Sequence, residues 1–243
     1  FNASGSGING GDRNCFLPPH VFDPQTAGRM LYGTHRVYQS LNSGSSWTAI
    51  SGDITGGSGA IRALAIAPSN SQTVYAATND GRVLVSTDGG RNFSLRITGH
   101  PGWPRVTREL AVDPLDDSTA LLATAWFGVD QVTATFDRGD TWVSLDGDLP
   151  DVPVNVVAVF NDGVSRFLFA GTDAGTYVTA DDGATWTLMG LSLPYTPVMD
   201  LVVDLAQGRL VTTTQGRGAW HMPLPKVVCT AVTNVKVRCA STG

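Results

Sequence analysis

Ser86-Thr87-Asp88-Gly89-Gly90-Arg91-Asn92-Phe93 decides the fold, because the chain repeats it. The same phrase returns as Ser40-Leu41-Asn42-Ser43-Gly44-Ser45-Ser46-Trp47, as Thr135-Phe136-Asp137-Arg138-Gly139-Asp140-Thr141-Trp142 and as Thr179-Ala180-Asp181-Asp182-Gly183-Ala184-Thr185-Trp186. Each copy reads hydroxyl, any residue, Asp or Asn, any residue, Gly, any residue, small polar residue, aromatic. The third position falls at Asn42, Asp88, Asp137 and Asp181, in steps of 46, 49 and 44 residues. A period in this range marks a stacked or radial repeat architecture.

The phrase has a local logic. Short apolar runs flank it, Val83-Leu84-Val85 before and Phe93-Ser94-Leu95 after, so it sits on a hairpin turn. The Asp or Asn can accept hydrogen bonds from backbone amides of its own turn, and the Gly two residues on tolerates positive φ. The closing Trp47, Phe93, Trp142 or Trp186 then folds over the hairpin as an apolar plug.

The surroundings repeat too. Upstream lies an apolar run ending in Asp-Pro or a relic of it, as in Val21-Phe22-Asp23-Pro24 and Val112-Asp113-Pro114. About ten residues later comes a run ending in small residues, as in Leu31-Tyr32-Gly33-Thr34 and Ala170-Gly171-Thr172. Five such units are present, the fifth with Gly216-Arg217-Gly218-Ala219-Trp220 in place of the phrase. Each unit predicts four short strands, here called A to D, and no amphipathic helix is apparent. Antiparallel units of this kind at this spacing are propeller blades. The expected fold is therefore all-β: a propeller of about five four-stranded blades over 16–225, preceded by a loop or the remnant of another blade at 1–15 and followed by a hairpin tail at 226–243.

The phrase resembles the Asp-box, or BNR repeat, of sialidases, family 74 xyloglucan hydrolases, sortilin-type receptors and photosystem II assembly factors of the Ycf48 type. The resemblance covers roughly residues 16 to 222. It implies that the boxes support the blades on the C-to-D turns, away from the face where such propellers bind ligands.

Composition suits an exported β domain, secreted or periplasmic. Only 15% of the residues are charged and 28 are Gly; the net charge is −5. With no basic patch and no apolar stretch of spanning length, nucleic acid and membrane insertion are not expected. The opening Phe1, with no leader, reads as a processed start or a piece of a longer protein. Of the three cysteines, Cys229 and Cys239 flank Thr233-Asn234 within two apolar runs, which predicts a hairpin cross-linked by a disulfide; Cys15 paired with either is the rival arrangement, and three unpaired buried thiols are the remaining one. A disulfide would require an oxidising compartment.

If the boxes occupy one face of the disc, the B-to-C loops and the D-to-A links occupy the other. Two tryptophans outside the repeat, Trp103 and Trp126, fall there, together with Asp130, Tyr195 and Arg217. Stacking surface beside directional polar groups is suited to a saccharide or a polar protein segment, so these five are the expected ligand rim. Glycoside hydrolysis needs two carboxyl groups, one with a raised pKa. Asp80, Asp130 and Asp173 occupy equivalent loops and are candidates; Asp12, in Gly10-Gly11-Asp12, resembles the Gly-Asp segment that carries a catalytic acid in family 74. The chain's only Glu, Glu109, and the absence of an Arg-Ile-Pro segment argue against a retaining sialidase. His20, His35, His100 and His221 have no metal-ligand spacing, and no cofactor motif occurs.

Two readings stay open. One is a non-catalytic propeller that binds a polysaccharide or protein partner, alone or beside further blades of a longer chain. The other is a glycoside-hydrolase-like propeller, the C-terminal part of a larger polysaccharide-degrading enzyme.

Overall fold

The computed structural model describes residues 5–98, 107–190, 193, 195–230 and 238–242. The chain is an all-β propeller of five blades, and no helix occurs among the described residues. Blade 1 is β1 His20–Phe22, β2 Met30–Gly33, β3 Val37–Ser40 and β4 Thr48–Ala49. Blade 2 is β5 Ile61–Ile66, β6 Val74–Thr78, β7 Arg82–Ser86 and β8 Ser94–Thr98. Blade 3 is β9 Thr107–Val112, β10 Ala120–Thr124, β11 Val132–Thr135 and β12 Val143–Ser144. Blade 4 is β13 Val154–Asn161, β14 Arg166–Thr172, β15 Gly175–Thr179 and β16 Thr187–Met189. Each sheet is antiparallel, with strands side by side in chain order.

The fifth blade departs from the expected four strands. It has three, β17 Val198–Asp204, β18 Arg209–Thr214 and β19 Gly218–Pro223. The reason lies in the missing phrase: without a self-bonded turn after β19, no fourth strand folds back. Instead the chain runs on to a separate hairpin, β20 Lys226–Thr230 and β21 Arg238–Thr242, in which Cys229 stands directly opposite Cys239.

Apolar cores fill the gaps between blades. Strands β5, β6 and β10 are buried almost throughout, as expected for sheets covered on both faces. The first gap closes on Leu31, Val37 and Ile61, the second on Tyr75, Val83 and Leu122, the third on Leu121, Val132 and Val157, and the fourth on Phe167, Phe169 and Val198. Phe93, Trp142 and Trp186 each join the core shared with the preceding blade. Trp47 plays the same part at the start of the ring, where Ile8 of the N-terminal segment replaces a preceding blade.

The boxes are self-bonded turns with one shared pattern. In each, the first hydroxyl donates to the Asp or Asn side chain and accepts the Gly amide: Ser40 with Asn42 and Gly44, Ser86 with Asp88 and Gly90, Thr135 with Asp137 and Gly139, Thr179 with Asp181 and Gly183. The same Oδ1 accepts the amide of the residue four on, at 2.9 Å in every copy. The residue after the Asp or Asn has φ of 55° at Ser43, 76° at Gly89, 57° at Arg138 and 54° at Asp182. The left-handed backbone at non-glycine positions is held by this hydrogen-bond cage.

The upstream Asp-Pro carboxylates fasten neighbouring blades. Buried Asp23 accepts from Ser71 Oγ of blade 2 at 2.5 Å and pairs with Arg29, whose other nitrogen donates to the Gly89 carbonyl at 2.8 Å. Asp113 accepts from Asn161 Nδ2 of blade 4 at 2.9 Å.

Candidate functional site

With strands running alternately up and down, the A-to-B turns and the boxes share one end of the disc, and the B-to-C loops and D-to-A links share the other. Trp126 is 57% exposed with Phe127 beside it, and Tyr195 is 85% exposed. Asp130 and Arg217 are also exposed, and the Arg217 carbonyl accepts the Trp220 indole N–H at 2.9 Å. Trp103 lies outside the described residues.

A depression of ≈ 490 Å³ opens beside the Trp126 loop, lined by Gly128, Val129, Asp130, Gln131, Asp146, Leu149 and Asp151. Of the expected rim residues only Asp130 lines it. Trp126 borders it through its carbonyl, which accepts from Gln131 Nε2 at 3.4 Å, and Tyr195 and Arg217 are not among its walls. The walls are fixed by hydrogen bonds. Asp151 accepts from the Gly128 amide at 2.8 Å and from Gln131 Nε2 at 2.5 Å; Asp146 accepts from the Val132 amide at 2.8 Å. Burial, with the charges of Asp130 and Asp151 adding to it, raises the Asp146 carboxyl, against the lowering effect of its two backbone donors. The result is a rigid, acceptor-rich hollow next to an exposed indole.

The remaining carboxylate candidates are structurally engaged. Asp12, 7% exposed, accepts from Tyr38 Oη at 2.6 Å and Thr34 Oγ1 at 3.1 Å and lies 3.1 Å from Arg36 Nε. Burial pushes its pKa up, but those donors with the His35 and Arg36 charges outweigh it and hold the carboxyl below its ordinary range. A carboxylate held ionised in this way does not serve as a general acid near neutrality. Asp80 accepts from the Thr78 hydroxyl, from the Gly56 amide at 2.7 Å, and lies 3.6 Å from Arg82. Asp173 accepts from Asn155 Nδ2 at 2.8 Å.

The group with the more strongly raised pKa was marked by no motif. Glu109, on the inner strand β9, is exposed yet crowded by protein; that desolvation, with the like charge of Asp200 on β17, pushes its pKa up to about 7. The signal available was positional: Glu109 and Asp200 both stand third in their A strands. Among the described residues no set of His, Cys, Asp and Glu is arranged to hold a metal ion. Among the described residues no helix is long and apolar enough to cross a membrane.

No protein-family profile matches the chain. It is 24% identical over 258 residues to a xyloglucanase of Hypocrea jecorina, a match covering 87% of this chain and 30% of that protein. Among solved structures, it is similar to the GH74 enzyme of Niastella koreensis, with a TM-score of 0.63 at 16% identity over 83% of this chain and 35% of that one. It is also similar to YCF48 from Cyanidioschyzon merolae, with a TM-score of 0.54 at 14% identity over 91% and 70% of the two chains. The chain thus spans about a third of the length of the xyloglucanase and of the GH74 enzyme it matches. It is a β-propeller that resembles the propellers of family 74 glycoside hydrolases and of Ycf48.

Proposed function

We propose that this propeller is an exported module that binds a polysaccharide on the face carrying the B-to-C loops. The observation that carries the reading is the pairing of a broadly exposed indole, Trp126, with the acceptor-rich hollow of Asp130, Asp146 and Asp151 directly beside it. Sugar rings stack their C–H faces on aromatic surfaces while their hydroxyls donate to fixed acceptors. The boxes at the other end have their polar groups committed to their own turns. Calorimetric titration with a neutral xyloglucan oligosaccharide and with an acidic one tests it: Trp126→Ala should weaken binding about tenfold or more with an unchanged melting temperature, and binding of neither by the unaltered protein would sink the reading.

A second reading, a glycoside-hydrolase-like propeller, is favoured by Glu109. A carboxyl with a pKa near 7 close to a second carboxylate, Asp200, is the pattern of an acid paired with a base or nucleophile. Reducing-end release from xyloglucan that disappears in Glu109→Gln would support it; no release by the unaltered protein would leave the binding role.

A further inference from the structure

From the second blade on, the pairing between strands A and B skips one residue at the ligand-face end. Ile61 and Ala63 pair with successive residues of β6, Thr107 and Glu109 with successive residues of β10, Val154 and Val156 with those of β14, and Val198 and Asp200 with those of β18. The extra residues are Arg62, Arg108, Asn155 and Met199. A bulge re-aims its extra side chain and bends its strand, and these four stand at the same level of four A strands that lie side by side.

Two consecutive members of this ring are arginines. Arg62 Nε donates to the carbonyl oxygen of Thr107, the residue immediately before Arg108, at 3.3 Å, which brings the two guanidinium groups together across the boundary between blades 2 and 3. Burial, and then the Arg62 charge, lower the pKa of Arg108, with Asp173 acting in the opposite sense. Both stay charged, since an arginine does not lose its proton in a folded protein. Among the described residues neither has a carboxylate within ion-pair distance. Asp173 has already committed an oxygen to Asn155. Two adjacent, partly desolvated like charges with no close ion pair, offset only in part by the more distant Asp173, disfavour one another, and an anion seated between them removes that cost.

We propose that the Arg62–Arg108 pair is a carboxylate-binding site at this end of the A strands, and that the saccharide bound on this face is an acidic one, bearing uronate residues. The inference rests on the saccharide reading above and adds its charge. A guanidinium fork grips a carboxylate through two parallel hydrogen bonds, whereas a neutral sugar at the same place would leave both positive charges unmatched.

Titration calorimetry with oligogalacturonate and with a neutral xyloglucan oligosaccharide of similar length tests this, alongside melting curves with and without citrate, an anion without a sugar ring. The unaltered protein should bind the acidic oligosaccharide about tenfold or more tightly than the neutral one, and this preference should shrink at about 0.5 M salt. Arg62→Gln and Arg108→Gln, checked for an unchanged melting temperature, should lose the preference while binding the neutral oligosaccharide as before; Arg108→Lys should keep part of it. Equal affinity for both oligosaccharides overturns the charge inference and leaves the saccharide reading in place. Citrate stabilisation abolished by Arg62→Gln, with neither oligosaccharide bound, supports the anion site and overturns the saccharide reading. No response to citrate or to either oligosaccharide overturns both.

Discussion

Trp186 donates its indole N–H to the carbonyl oxygen of Leu145 at 2.8 Å, reaching from the fourth blade into the third. The aromatic that closes each box is therefore a bolt between blades as well as a lid on its own hairpin. Phe93 fills the corresponding place two gaps earlier without a polar atom, which separates the two contributions. Trp186→Phe should cost about 1–2 kcal/mol, the hydrogen bond and some area, whereas Trp186→Ala should cost about 3–5 kcal/mol by opening a cavity in the core it shares with Leu145. Denaturant unfolding measures both; equal losses would mean that the ring's volume contributes little.

The box carboxylate is needed as an acceptor more than as a charge. Asn42 holds the first turn with the same Oδ1 bonds that Asp181 makes in the fourth. Asp181→Ala is expected to lower the melting temperature by about 2–4 °C, Asp181→Asn by clearly less, and neither to change saccharide affinity. Loss of binding at unchanged stability would place function on the box end.

Acid should loosen these turns. Amides and hydroxyls, with the Asn92 amide foremost for Asp88 and the Thr141 amide foremost for Asp137, depress both carboxyls from 3.8 to about 2. The ionised form is the one the fold prefers, so its contribution is complete above about pH 4 and drains as the pH falls toward about 2. Melting curves across this range should decline, and Asp88→Asn should decline less steeply.

Glu109 behaves in the opposite sense. Its folded pKa lies near 7 against an ordinary 4.5, so the neutral form is favoured in the fold; that contribution is complete below about pH 4.5 and is lost as the pH rises through about 7. Glu109→Gln imitates the neutral form at every pH. The variant should melt close to the unaltered protein at about pH 5 and above it at about pH 8, and a constant offset between the two would show that Glu109 does not titrate in this window.

The hairpin register that sets Cys229 opposite Cys239 predicts how the three thiols respond to alkylation. Cys15 is a buried free thiol, its Sγ 3.9 Å from the Ala60 carbonyl. Denatured but unreduced protein should take up one alkyl group and reduced protein three. Uptake of three without reductant would exclude the cross-link.

The blades were legible because a turn that bonds to itself must carry its own donors and acceptors in sequence. Ser86, Asp88, Gly90 and Asn92 are all required at fixed offsets, so the four copies announced both the fold and its period. The fifth blade was legible as degenerate, but not as three-stranded, since nothing in Gly216 to Trp220 says where the chain goes next. The face proposed for binding was legible only as a set of loops. Trp126 could be placed there because it breaks the repeat, yet the hollow beside it depends on Asp146 and Asp151 reaching back from the following link to Gln131 and Gly128, a folding-back with no local signature. Glu109, Arg62 and Arg108 were hidden for a similar reason. They lie inside strands whose alternation reads as ordinary, and only the cross-strand register reveals the skipped residue.

Those skipped residues divide the labour of an inner strand. Ile61 and Ala63 keep their places in the blade-to-blade cores while Arg62, between them, is released from the alternation that packing imposes. Its counterparts are an arginine, an amide and a thioether at one level of one scaffold. A lineage built on this scaffold could therefore exchange the chemistry there blade by blade without disturbing the folding core, and a designer wishing to retarget the face has four positions at which to begin.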